Sequence, residues 1–207
     1  MHIDRDLPAG LDRVKDADAR AVRYGAGFVG RVTPGDLGRP TPCTRWSLAE
    51  LLAHMTAQHR GFAAAAAGRG DRAEAWRALP AGADVVAEYA AACDLVAEAF
   101  AAVGSAERPF ALPEFGPGAT FPAGRAIGFH FIDYVVHGWD VARSLGLPYA
   151  PPPELLDAAL PIALAVPDGE HRLAPGSAFR PALAPLGAVR PLDRILTALG
   201  RSPQWPG

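Results

Sequence analysis

Gly128-Phe129-His130-Phe131-Ile132-Asp133-Tyr134-Val135-Val136-His137-Gly138-Trp139-Asp140-Val141-Ala142-Arg143 decides the fold of this 207-residue chain. Read as a helix, the stretch is apolar on nearly every side. Its ionisable residues His130, Asp133, His137 and Asp140 recur at steps of three, four and three, so they stack along one stripe. A surface helix shows the reverse balance, a broad polar face and a narrower apolar one. This one therefore reads as a buried helix with a thin polar ribbon. Asp133 and His137, at i and i+4, can bring a carboxylate oxygen and an imidazole nitrogen to one point, as a metal ion requires. The plainer alternative is an ordinary i,i+4 ion pair worth ~0.5 kcal/mol or less.

Three more amphipathic helices precede it. From Pro8 to about Val32, Leu11, Val14, Ala17, Ala21, Tyr24 and Phe28 keep helical steps, although Gly25, Gly27 and Gly30 weaken the pattern toward its end. After a Gly/Pro-rich loop, Ser47 is a helix cap and Glu50 completes a capping box. The helix that follows carries Leu48, Leu51, Leu52, Met55 and Phe62 into the Ala63–Ala67 run. A third helix, about Ala83 to Val103, shows a bundle-like seam of Val86, Tyr89, Cys93, Val96, Phe100 and Val103. Residues 104–124 read as loop, and no period-2 strand is evident. Beyond Leu147-Pro148 the texture changes. A short helix runs from Glu154 to about Ala165, with Pro161 as a kink or early stop. A Pro/Gly-rich segment and a last helix at 192–199 follow. The expectation is an all-α four-helix bundle over 1–148, with an extension over 149–207 that packs on it and carries short helices.

Bulk properties exclude several classes. A formal charge of −2 and a pI near 6.3 leave no electrostatic footprint for nucleic acid or an anionic membrane. No apolar run approaches the ~18 residues of a membrane span, and Met1–Asp6 lacks a signal-peptide profile, so a cytoplasmic monomer or homodimer is expected. Cys43 and Cys93 form no ligand cluster and no disulfide framework. Of the histidines on the second helix, periodicity places His59 inside as a core residue and His54 toward the flank.

Thr41-Pro42-Cys43-Thr44-Arg45-Trp46, followed by Leu51 and His54, resembles the TPC-x-x-W-x-x-x-x-L-x-x-H motif of the DinB-like superfamily. Asp133-x-x-x-His137-x-Trp139-Asp140-Val141-Ala142 is similar to a segment of its actinobacterial branch around mycothiol-dependent maleylpyruvate isomerase, where Leu replaces Val141. The tail, Leu192–Leu196 through Gly200-Arg201-Ser202-Pro203 and Trp205, resembles the ending of an uncharacterised subfamily. The resemblance implies that His54, Asp133 and His137 bind one divalent metal. Zinc is first choice, with nickel, manganese or iron behind it. The isomerase has Glu where this chain has Asp133.

Two imidazoles and one carboxylate suit zinc and leave a fourth position open, which describes a catalytic rather than a structural ion. The resemblance implies a thiol transferase or isomerase in which mycothiol, or a similar low-molecular-weight thiol, meets a small electrophile. His130 or Asp140 would handle the proton, and Asp140 could instead orient His137. Trp46 and Trp139 read as packing anchors and Cys43 as structural. A non-catalytic metal- or ligand-binding helical module and a metal-dependent hydrolase are the rival readings.

Overall fold

A computed structural model describes residues 10–43, 46–82, 84–174, 177–184 and 190–206. Pro8 at the expected start of the first helix, the residues Met1–Asp6, the Thr44-Arg45 pair and Ala83 lie outside the described residues. The fold is all-α, with one two-stranded hairpin. Its four bundle helices are α1 (Leu11–Val29), α2 (Leu48–Ala66), α3 (Val85–Ala101) and α4 (Ala123–Ser144). α4 packs chiefly on α1, and α2 chiefly on α3.

Local chemistry sets these boundaries. Ser47 Oγ accepts from the Glu50 amide at 3.4 Å, and Glu50 Oε2 accepts from the Ser47 amide at 2.8 Å, which closes the expected capping box. Asp84 Oδ1 accepts from the Ala87 amide at 3.3 Å and starts α3 the same way. The glycines of α1 do not end it early. Gly25 lies against Gly138 of α4, where a Cβ on Gly138 would stand 3.5 Å from Gly25 Cα and 3.0 Å from Tyr149 Oη. Their helix-weakening cost is offset by a close crossing of the two backbones.

The loop expected over 104–124 holds a hairpin. β1 (Pro109–Ala111) pairs antiparallel with β2 (Thr120–Pro122), Phe110 facing Phe121 in register. Three residues per strand, bounded by prolines, are too few to show a period of two. The hairpin is held by Phe110, fully buried against Phe100 and the foot of α4. Pro161 does not stop α5 (Pro153–Ala165), which continues one more turn past it.

α5 and α6 (Pro191–Ala198) pack on each other and on the α1–α4 pair. Leu155, Ala159, Ile162, Ile195, Leu196 and Leu199 share one buried cluster with Phe131, Val135 and Trp139. The irregular segment between the helices is fastened by Arg172, whose guanidinium donates to the carbonyls of Val166, Pro167, Arg180 and Ala198. Among the described residues no helix is long and apolar enough to cross a membrane.

Deleting residues 186–207 removes Ile195, Leu196 and Leu199, each completely buried. Individual losses of this kind cost about 2–5 kcal/mol. The expected result is a truncated chain that collects in the insoluble fraction or binds a hydrophobic dye. A soluble truncation with an unchanged melting temperature would contradict this packing.

Candidate metal centre

α2 and α4 face each other with His54 on the first and Asp133 and His137 on the second. One ligand atom from each of the three lies within 4.8 Å of the others. The two imidazoles meet edge-on with centroids 5.4 Å apart, and the Trp46 ring stacks on His54 at 4.4 Å. Even with its shorter side chain, Asp133 brings Oδ1 to 3.4 Å from His137 Nε2. A tetrahedral ion with bonds near 2.0–2.1 Å separates its ligand atoms by about 3.3–3.4 Å. The α4 pair already has the spacing of one edge of that tetrahedron.

The other side of His137 is fixed. Its Nδ1 donates to Asp140 Oδ2 at 2.9 Å, so the neutral ring keeps Nε2 as a lone pair directed at the Asp133 carboxylate. An acceptor then faces an acceptor. The contact is favourable only with a proton or a cation between them, and this is the test the donor set passes. Without a cation the ring keeps a proton: burial depresses the imidazolium, but Asp133, then the hydrogen bond and charge of Asp140, outweigh it and raise the pKa above 6.5.

Asp140 is completely buried, and Arg201 donates to both of its oxygens at 3.1–3.3 Å. Burial alone would raise this carboxyl. The Arg201 charge, followed by His137, holds it below the ordinary value. Of the two roles weighed for Asp140, this placement supports orienting the His137 ring rather than handling protons at an open site. Arg201 belongs to the tail motif, but nothing in the sequence links it to Asp140, 61 residues earlier.

His130 is not brought to the triad. Fully buried, it donates from Nδ1 to Asp18 Oδ1 at 2.6 Å. Its Nε2 lies 3.1 Å from His59 Nδ1, and His59 Nε2 lies 3.3 Å from Cys93 Sγ. Burial, then the electrostatic influence of His130, holds the His59 imidazole well below 6.5; burial also pushes the Cys93 thiol up to about 12. One assignment satisfies the row: Cys93 S–H donates to His59, His59 Nδ1–H to His130, and His130 Nδ1–H to Asp18. His59 is thus interior, as its periodicity indicates. Asp18 was missed, although an acid four residues after Val14 on the inner stripe of α1 was a visible signal.

Beside Asp133 the hairpin supplies Glu114. Desolvation by its surroundings, then the Asp133 charge, push its carboxyl up to about 7 against a hydrogen bond from Gln58. Gln58 stands one turn after His54 on α2.

A helical bundle that gathers two imidazoles and a carboxylate from two helices defines the class, a DinB-like metal-binding module. The model of the mycothiol maleylpyruvate isomerase N-terminal domain matches residues 19–142, and the chain belongs to that family. Two uncharacterized proteins of Mycobacterium tuberculosis, MT0763 and Rv0738, are each 31% identical over 193 residues, covering 90% of this chain and 96% of their own. No solved structure matches. The triad and Asp140 lie inside the family match; Arg201 lies beyond it.

Two outcomes follow from this geometry. Arg201→Met leaves Asp140 charged in the core without its main partner and is expected to destabilise the protein by about 3–5 kcal/mol. In urea unfolding, a shift below 1 kcal/mol would contradict a buried pair. His59 carries the opposite kind of information. The unfolded chain binds a proton at this histidine below pH 6.5 and the folded chain does not, so its contribution is complete above pH 6.5 and lost as pH falls. Urea midpoints from pH 7.5 to 5.5 should show a wild-type loss of up to about 1.4 kcal/mol per pH unit. That component should be missing in His59→Gln; identical slopes would contradict it.

Proposed function

We propose that the protein is a metal-dependent thiol transferase or isomerase acting in the cytoplasm. His54, Asp133 and His137 would hold one divalent ion, and a low-molecular-weight thiol such as mycothiol would be joined to a small electrophile. The observation that carries this reading is His137 Nε2 set 3.4 Å from the Asp133 carboxylate while Nδ1 is engaged by Asp140, inside a family named for a mycothiol-dependent isomerase. Zinc suits two nitrogens and an oxygen best, and nickel, manganese and iron accept the same donors. When bound, such an ion keeps a coordinated thiol as thiolate near neutral pH.

The chain's own groups do the rest. Asp140 fixes the His137 tautomer, and Arg201 keeps Asp140 charged. Trp46 lies tilted against the His54 ring and holds its orientation. His130 and Asp140, weighed from the sequence as proton handlers, are both completely buried and spoken for by Asp18 and Arg201. We assign them to holding the ligand helix in place rather than to contact with substrate. In this reading residues 1–148 carry the site and residues 149–207 brace it through Arg201.

Protein purified without a polyhistidine tag should contain close to one equivalent of metal, or take it up from added zinc. Stoichiometry far below one, unrestored by zinc, defeats the metal assignment. Turnover of monochlorobimane with mycothiol should fall at least ~100-fold in His54→Ala. Full metal content without any turnover would favour the non-catalytic binding module. Hydrolysis independent of thiol would favour the hydrolase.

A further inference from the structure

Next to the triad stands a surface whose role none of the preceding assigns. Phe115, on the turn between β1 and β2, is 52% exposed, and it is the one aromatic ring among the strongly exposed large apolar side chains of the described residues. It packs edge-on against Phe121 at 4.8 Å and tilted against Phe129 at 5.2 Å, and those two meet at 5.2 Å. The Arg125 guanidinium caps the group, 5.5 Å from the Phe121 centroid and 5.4 Å from that of Phe129. Arg125 forms no ion pair among the described residues, and it is exposed.

Its position relative to the triad follows from helix geometry. Arg125, Phe129, Asp133 and His137 succeed one another at steps of four on α4, each about 6 Å further along the axis. Glu114, the neighbour of Phe115, lies close enough to Asp133 to sense its charge and bonds Gln58 on the His54 face of α2. The hairpin therefore walls the space between α2 and α4 on the side where the triad is open, Asp133 being the exposed ligand of the α4 pair. From the triad end the wall runs from the carboxyl groups of Asp133 and Glu114 through apolar rings to Arg125, whose backbone lies about 12 Å from that of Asp133 along α4.

Resting on the reading of the triad given above, we propose that this wall binds the electrophilic co-substrate, and that the co-substrate is an aromatic ring bearing an anionic group. The ring lies on Phe115. The anion points to Arg125, the guanidinium that caps the same rings. That orientation turns the uncharged, reactive end of the molecule toward His54, Asp133 and His137. The surface thus selects a charged arene over a small aliphatic electrophile and sets its direction.

Calorimetric titration of the full chain with naphthalene sulfonate and with uncharged naphthalene methanol tests this. Phe115→Ala should weaken both by about 3- to 10-fold, the share of one aromatic contact. Arg125→Gln should weaken the sulfonate alone, by about 3-fold. His54→Ala should leave both unchanged, so the result stands or falls independently of the metal and the reaction. Leu164→Ala, an exposed apolar residue elsewhere, serves as control and should change neither. Unchanged affinity in Phe115→Ala, an equal loss of both probes in Arg125→Gln, or an equal loss in Leu164→Ala would each overturn the proposal. A melting temperature of Phe115→Ala within a degree or two of wild type confirms that the hairpin is intact.

Discussion

A helix buried on nearly every face cannot carry four ionisable side chains unless each finds a partner, because an unpaired buried charge costs several kcal/mol. α4 meets this constraint with a different element at each level. α1 supplies Asp18 to His130, α2 supplies His59 to the same ring, and the chain end supplies Arg201 to Asp140. The docking of α1 and of the C-terminal extension is thus tied to the polar ribbon as well as to apolar burial. What is left after these pairings is the edge between His137 Nε2 and Asp133, with His54 beside it.

Much of this was legible in the sequence. The 3.6-residue period, the Ser47–Glu50 box and the unusual balance of the fourth helix give the bundle without any three-dimensional information. The Asp133–His137 pair was legible from its i,i+4 spacing, but His54 only through the resemblance, since periodicity favours His59 over His54 for the interior and says nothing about which histidine meets α4. Three things were hidden. The hairpin is too short for an alternating pattern, and its position depends on Phe110 finding a hole beside Phe100. Gly25 looks like a helix breaker until Gly138 is seen across from it. The Arg201–Asp140 pair joins residues too far apart in sequence for any local pattern to reveal.

The extension is the part whose purpose the bundle alone does not explain. Its apolar residues complete the cluster around Phe131, Val135 and Trp139, on the side of α4 away from α2. Its buried ionic reach to α4 is the Arg201 guanidinium, in addition to the Tyr149 hydroxyl that donates to the Val135 carbonyl. Arg143 adds a further tie, donating to the Trp205 carbonyl beyond α6. A change in how the tail docks is therefore felt at Asp140 and, one hydrogen bond later, at the ring of His137. The family match ends at residue 142, and the relatives align over 90% of this chain and 96% of their own length.

The α2–α4 interface holds two histidine pairs in successive layers, and comparing them shows why only one suits a cation. In one layer His59 and His130 meet nitrogen to nitrogen at 3.1 Å, with Asp18 and Cys93 at the two ends. Four groups and three protons make an unbroken row, every ring nitrogen is used, and the layer is closed off from solvent. Tyr134 separates it from the next, stacking on His59 at 4.0 Å and donating its hydroxyl to the Met55 carbonyl. The other layer sets two imidazoles against two carboxylates, Asp133 and Asp140. Asp140 takes the only proton of neutral His137, so the remaining nitrogen and the Asp133 oxygen confront each other as two acceptors. A proton relieves that conflict, and a divalent ion would relieve it more fully by also engaging His54. The first layer is complete as it stands; the second is complete only with a positive charge in it.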